Sequence, residues 1–169
     1  MNQLPAGLNA LSEHKQFLLR DKKVPKSPHT GLTVDAHDPS AWVDFPTAQR
    51  LALLFGYQVG FVLTQEDPFF FIDIDDCRLA SGEWSDVARG LTNAWFPDAF
   101  VEESQSGRGL HIIAKGAAPE DREEKCKEFN WGLYTEKRFV ALTGNALTGN
   151  ADTEHTTRLE ALSRAYLNR

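Results

Sequence analysis

The segment FFFIDIDDC, residues 69–77, runs four apolar residues directly into three aspartates that are interrupted by one isoleucine. In a β-strand, residues two apart point to the same face of the sheet. Asp73 and Asp75 therefore share a face with Phe71, roughly 6–7 Å apart at their Cα atoms, while the two isoleucines face the core. The segment predicts a buried strand that ends in two neighbouring carboxylates.

Two interpretations of these carboxylates follow from the segment alone. In the first, the strand leaves the core and its acidic end is solvated. In the second, Asp73 and Asp75 hold a divalent cation, because two close carboxylates repel each other unless a cation neutralises them. Mg²⁺ commonly takes one or two carboxylates together with phosphate oxygens. The next residue, Asp76, is a further ligand, a helix cap or neither.

The composition is that of a globular chain with an acidic balance. The 169 residues suit one domain, and a 41% hydrophobic content with 11 Phe and 4 Trp indicates a substantial core. The net charge of −6 argues against a protein coated with basic charge for bulk nucleic-acid binding. It leaves room for a local basic groove, and the densest basic cluster is Arg20, Lys22, Lys23 and Lys26.

The cysteines and the hydropathy predict a cytoplasmic location. Cys77 and Cys126 lie far apart and without metal-ligand spacing, so reduced thiols are the expected state. The N-terminal residues have no basic start followed by a long apolar run, so no signal peptide is expected. No apolar stretch approaches the ~20 residues of a membrane-spanning helix, and we expect no membrane partner.

Strand pairs that alternate with helices predict an α+β fold, in which a mostly antiparallel sheet has helices packed on one face. The expected strand pairs, each interpreted as a hairpin, are 59–63 with 69–74, 99–104 with 110–115, and 130–135 with 138–144. The expected helices are 11–19, 44–56, 82–96, 119–129 and 155–168. Residues 20–42 are interpreted as a long surface loop, and the tandem ALTGN repeat at 141–150 as a strand end followed by a loop.

The segment ESQSGRGLHII, residues 103–113, contains a second candidate site. Its two glycines permit positive φ and a close approach of backbone N–H groups to an anion. Arg108 can form a forked contact with phosphate oxygens, and Ser106 and His111 flank it. A nucleoside triphosphate suits this set, although a glycine turn with an incidental histidine fits equally. The glycine spacing and the ending are not those of a Walker loop.

The segment YTEKRFVALTGN, residues 134–145, contains the third candidate. Arg138 opens a predicted strand, and the TGN sequence at its end is another turn that can accept an anion. The alternative is an exposed hairpin without a ligand.

Together, and in this order, the three segments resemble the primase-polymerase domain of the archaeo-eukaryotic primase superfamily, in the versions encoded by phages, plasmids and integrated elements. KKVPKSPHTGLTVDAHDPSAW at 22–42 and YQVGFVL at 57–63 are similar to the segments that precede the acidic motif in that family. The resemblance covers residues ~20 to ~150. It implies an RRM-like catalytic core at 44–150 within a single domain, 1–169, with an N-terminal helix and extended basic segment at 1–43 and a terminal helix at 151–169.

The resemblance also implies an activity, template-directed nucleotidyl transfer by a two-metal mechanism with Mg²⁺ or Mn²⁺. Asp73 and Asp75 would be catalytic metal ligands, and His111 a catalytic residue that also meets the nucleotide. The implied phosphate contacts are Ser106, Arg108, His111 and Arg138, and the weaker nucleic-acid contacts are Lys23 and Lys26. The implied partners are a single-stranded DNA template, NTP or dNTP, and a replicative helicase or other replication protein.

One position departs from the family pattern. The third motif of the family places an acid two residues before the tyrosine, and here Gly132 stands at that position. A second hypothesis is therefore a degenerate primase fold that binds nucleotide or single-stranded DNA and assists a replication partner. A third, a nicking replication initiator, is disfavoured because His111 has no second histidine two residues away.

Overall fold

Ten strands and three α-helices are found in residues 3–120 and 122–168, the part of the chain that this computed structural model describes. The strands are β1 (Phe17–Asp21), β2 (Val24–Lys26), β3 (Gln58–Leu63), β4 (Phe69–Ile74), β5 (Phe100–Glu103), β6 (Leu110–Lys115), β7 (Lys125–Cys126), β8 (Trp131–Tyr134), β9 (Arg138–Val140) and β10 (Ala146–Thr148). The helices are α1 (Phe45–Phe55), α2 (Asp86–Arg89) and α3 (Thr156–Tyr166). A 3₁₀ helix at Ala6–Glu13 precedes β1, and a π-helical turn at Gly90–Trp95 extends α2.

The strands form two sheets instead of the single sheet that we expected. Sheet A has the order β2-β1-β3-β9, and sheet B has the order β10-β5-β6-β4-β8-β7. Every pairing between these strands is antiparallel, so the predicted α+β class and strand direction are confirmed.

The protein has two main hydrophobic cores, one on each face of sheet B. The first lies between the two sheets and includes Phe17 and Phe61 of sheet A, Phe71 and Ile113 of sheet B, and buried residues of α1. The second lies on the other face of sheet B, where α2 and α3 cover that face together. Both faces of sheet B are therefore buried.

Two of the three predicted hairpins are wrong. β3 and β9 pair in sheet A, whereas β4 and β8 pair in sheet B, so each predicted hairpin is divided between the sheets. Asp67 explains the first corner, because its buried carboxylate accepts hydrogen bonds from the backbone N–H groups of Thr64 and Phe69 and from the Gln16 side chain. The chain is thereby turned into the second sheet. The third predicted hairpin, β5 with β6, is confirmed.

Two predicted helices are also wrong. Within 11–19 the chain leaves the 3₁₀ helix and enters β1, where Leu18 and Leu19 are buried on opposite faces of sheet A. The charged segment 119–129 contains β7, which pairs with β8. Arg122 there donates to the carbonyl oxygens of Pro119 and Leu133. Tertiary contacts thus override helix propensity in both segments.

The remaining helices are confirmed. Asp44 caps α1 by accepting a hydrogen bond from the Thr47 backbone N–H, and Gly56 ends it with a φ of 71°. Residues 20–42, expected to be a loop, instead contribute the end of β1 and all of β2. Across residues 3–120 and 122–168, each helix falls short of the length and apolar character needed to cross a membrane. Cys77 and Cys126 are buried free thiols.

Arg20 connects sheet A with the turn before β6. Its side chain is 2% exposed, and it donates to the carbonyl oxygens of Val59, Leu142 and Lys22 and to the Gln105 side chain. A buried guanidinium with this many acceptors is costly to remove, because the carbonyl oxygens of Val59 and Leu142 stay buried and lose this donor.

We therefore predict that Arg20→Met lowers the free energy of unfolding by about 3 kcal/mol. Urea unfolding followed by circular dichroism measures it. The matched control is Arg50→Met on the exposed face of α1, which should change stability by less than about 0.5 kcal/mol. Equal effects of the two substitutions would contradict the structural role of Arg20.

Candidate active site

A row of cross-strand partners, polar at all but one position, crosses five strands of sheet B and is called the polar row here. The register places Glu102 of β5 opposite His111 of β6, His111 opposite Asp73 of β4, and Asp73 opposite Gly132 of β8. Cross-strand partners share a face, and the neighbouring row on that face belongs to the core between the sheets. Lys125 of β7 continues the row beyond Gly132.

Asp73 lies at the centre of this polar row. Arg138 Nη2 donates to Asp73 Oδ2 at 3.1 Å, and His111 Nε2 lies 3.9 Å from Asp73 Oδ1. The Asp73 side chain is 17% exposed, so its contacts are partly shielded from water. Because Arg138 opens β9 of sheet A, this ion pair joins the two sheets across the seam between them.

Asp75 follows β4 and is exposed. Its backbone N–H donates to the carbonyl oxygen of Asn130 at 3.1 Å. Asp73 and Asp75 line one cavity of about 130 Å³. Lys125, Lys127 and Arg138 also line this cavity, so it offers two carboxylates and three cationic side chains.

A second cavity, of about 350 Å³, lies on the other side of Asp73 and Arg138. Both residues line it, together with His111, Lys23 and Lys137. Phe71 and Phe139 contribute apolar surface. The first cavity has two carboxylates among its cationic residues, whereas the second has one carboxylate, Asp73, with three cationic groups and two phenylalanine rings. The second combination suits an anion with a planar or sugar portion.

Glu102 is a component of the site that the sequence did not reveal. It is fully buried, and its Oε1 lies 2.9 Å from His111 Nδ1. The backbone N–H groups of Thr143 and Gly144 donate to its two oxygens at 3.1 and 3.0 Å. The TGN turn was expected to accept an anion, and the anion it binds here is the Glu102 carboxylate. Both glutamates lie in β5, where Phe100 and Val101 are also buried, so alternation along the strand does not show that Glu102 is the buried one of the pair.

The SGRG turn lies outside both cavities. Gly107 has a φ of 70°, and Ser106 Oγ accepts a hydrogen bond from the Arg108 backbone N–H. The exposed Arg108 side chain donates to Asp76 Oδ1 at 2.9 Å. The structure therefore brings His111 to the polar row but leaves Ser106 and Arg108 on the surface nearby.

The two predicted basic contacts are also separated. Lys23 lines the larger cavity. Lys26 lines neither cavity, and its ammonium group donates to Thr33 Oγ1 at 3.0 Å and lies 5.8 Å from the centre of the Tyr57 ring.

Gly132 has a steric explanation. A Cβ at this position would lie 2.7 Å from Tyr134 Oη and 2.8 Å from the ring of the same tyrosine. The Arg138 guanidinium in turn stacks on that ring, 4.2 Å from its centre. The pKa of Tyr134 is raised by burial, an effect that Arg138 opposes. An aromatic ring and its cation thus fill the space where the family pattern places an acid.

The residues present fit one divalent cation better than a closed metal centre. Among residues 3–120 and 122–168, no group of three or more His, Cys, Asp or Glu side chains is arranged to hold a metal ion. Asp73 and Asp75 nevertheless supply oxygen ligands to one cavity. This donor set matches Mg²⁺ or Mn²⁺ bound by two carboxylates, with water and phosphate oxygens as the other ligands.

Comparison with known proteins gives one informative relative. No family model matches the chain. The chain is 34% identical over 163 residues to a protein named DNA primase-polymerase from Nitratiruptor phage NrS-1. The similarity covers 89% of the chain but spans only 22% of that relative's length.

The close approach of Tyr134 to Gly132 generates a prediction. Gly132→Ala should lower the free energy of unfolding by about 1–3 kcal/mol, because the new methyl group forces the packed tyrosine ring to move. Chemical unfolding measures it. The control is Gly90→Ala, since nothing in the described part of the chain lies within 4 Å of a Cβ there, and stability should be kept or raised by up to about 1 kcal/mol. A Gly132→Ala protein as stable as the parent would disprove the steric explanation.

Proposed function

The chain belongs to the primase-polymerase domains of phage type, and from this premise we propose that it catalyses template-directed nucleotidyl transfer. In this proposal the 3′-hydroxyl of a primer or initiating nucleotide attacks the α-phosphate of an incoming NTP or dNTP, on a single-stranded DNA template. The observation that carries the proposal is the position of Asp73, which lies between a cavity with two carboxylates and a cavity with cationic and aromatic groups.

The larger cavity would bind the nucleotide. Lys23, Lys137 and Arg138 supply positive charge for the triphosphate, and His111 presents its Nε2 edge beside Asp73. Phe139 offers an apolar surface for the sugar. Catalysis of phosphoryl chemistry depends mainly on positioning and on neutralising charge, and these residues supply both.

Asp73 and Asp75 would hold one divalent cation, Mg²⁺ or Mn²⁺, of the two that the family resemblance implies. Such a cation, when bound, neutralises the phosphate oxygens and stabilises the attacking and leaving oxygens.

The outer residues keep secondary roles in the proposal. Ser106 and Arg108 are exposed beside Asp76, where they are available to phosphate groups of the nucleotide or template. Lys26 would contact the template through charge alone. The RRM-like core, the replication of a phage, plasmid or integrated element, and a helicase or other replication partner rest on the family resemblance.

A second candidate function is favoured by Gly132. Tyr134 and Arg138 fill the space of the third acid, and Arg138 already neutralises Asp73. The same fold would then bind nucleotide or single-stranded DNA and assist a replication partner without synthesis.

Primer synthesis and extension on a single-stranded template, with labelled nucleotides and Mn²⁺, test the first function. Asp73→Asn combined with Asp75→Asn should lower product formation by at least about 10²-fold, because the oxygen ligands are lost. Asp86→Asn is the control, since this exposed aspartate lies on α2, against the opposite face of sheet B.

The same assay separates the two functions. A parent protein that makes no product but binds nucleotide or single-stranded DNA supports the second function. Gly132→Glu combined with Tyr134→Ala then asks whether an acid with room to fit restores synthesis. A parent that neither synthesises nor binds contradicts both functions.

A further inference from the structure

We propose that Glu102 is a positioning residue, whose buried carboxylate fixes the His111 ring with Nδ1 protonated and Nε2 directed toward the nucleotide cavity. The inference deepens the proposed function, since it rests on the larger cavity being the nucleotide site. Its structural part, the state of the His111 ring, can be tested without any activity.

The surroundings of Glu102 determine whether its buried carboxyl group is ionised. The residue is 0% exposed, and an isolated buried carboxylate is strongly disfavoured. Both of its oxygens accept backbone N–H groups, from Thr143 and Gly144. Hydrogen bonds to the charged form favour that form. A negative charge on Glu102 also opposes the lowering of the Arg20 pKa by burial. We therefore assign Glu102 as ionised.

The contact with Glu102 determines which ring nitrogen of His111 carries a proton. An ionised carboxylate can only accept hydrogen bonds, so the 2.9 Å contact with Glu102 Oε1 requires a proton on His111 Nδ1. The opposite ring nitrogen is then the one that faces Asp73, at 3.9 Å, and the cavity. The hydrogen bond at Nδ1 in this way sets the orientation of the ring and the protonation of Nε2.

Glu102 is also connected to the strand that begins with Arg138. Thr143 and Gly144 follow β9, the strand that Arg138 opens. The Glu102 carboxylate holds this turn and the His111 ring at the same time. It therefore fixes the relative position of two walls of the larger cavity, one from each sheet. A residue that only filled the core would not couple them.

Nuclear magnetic resonance of the parent protein gives the first test. Long-range ¹H–¹⁵N spectra of the five histidines, with His111 assigned by comparison with His111→Ala, should show the His111 proton on Nδ1. A His111 ring with unprotonated Nδ1 overturns the proposal without any Glu102 variant, so the test survives even if substitution of Glu102 prevents folding.

Glu102→Leu gives the second test, since leucine is similar in size and suits the apolar surroundings. With no acceptor at Nδ1, the nearest remaining acceptor is Asp73, so the His111 proton should move to Nε2. Titration of ATP with Mn²⁺ should show about tenfold weaker binding, as His111→Ala should. The double variant should bind no more weakly than either single variant, because the two residues act as one unit.

Two further variants separate positioning from simple packing. Glu102→Gln keeps one oxygen for both His111 Nδ1 and the Thr143 N–H, so it should keep the parent ring state. Its NH₂ group cannot accept from the Gly144 N–H, so ATP affinity should fall, but by less than in Glu102→Leu. Glu103→Leu changes the adjacent glutamate, whose carboxylate lies 3.7 Å from Arg78, and should leave both readouts unchanged.

These measurements distinguish failure of the Glu102 proposal from failure of the proposed function. A Glu102→Leu protein that keeps the Nδ1 proton, or that binds ATP as the parent does, overturns the proposal. Additive losses in the double variant also overturn it. A parent protein that has the Nδ1 proton but binds no ATP contradicts the proposed function and leaves the action of Glu102 on the His111 ring supported.

Discussion

Strand β4 pairs with β6 on one side and β8 on the other, and this register places His111, Asp73 and Gly132 at the centre of the polar row. Both faces of β4 are buried, with Phe71 in the core between the sheets and Phe70, Ile72 and Ile74 in the core under the helices. A slip by one residue would put Asp73 among apolar side chains and would separate it from His111. The burial of apolar surface therefore fixes the site, and the polar contacts only refine its geometry.

The sequence allowed some of this to be predicted because the relevant signals are local. Alternation placed Asp73 on the face of Phe71, and capping residues located α1. The division into two sheets could not be predicted, because the sequence of a strand with two apolar faces does not indicate which strand it pairs with. The segment 119–129 was missed because its bonds to Leu133 and its pairing with β8 are not local.

The sequence singles out Asp73, Asp75 and His111 as candidate site residues, and the fold places Asp73 beside both of the others. The sequence does not single out Glu102 in the same way. A glutamate pair between a strand and a glycine turn is ordinary in composition, and only the fold shows that one member is buried with three donors. The sequence shows that Gly132 departs from the family pattern, but the steric reason for the glycine, the packed ring of Tyr134, is visible only in the structure. The candidate site is consequently better described by its charge pairs, Glu102 with His111 and Asp73 with Arg138, than by its acids alone.

The Arg20 side chain has a consequence for how the domain folds. Its hydrogen bonds to the Leu142 carbonyl oxygen join positions 122 residues apart. Closing such a loop costs chain entropy before any contact is gained, and domains dominated by distant strand pairings fold in milliseconds to seconds. Leu142 directly precedes the turn that holds Glu102. The contact between the first strand and a segment near the end of the chain therefore supports the turn that holds Glu102, and this long-range contact makes slow folding of the site the expected behaviour.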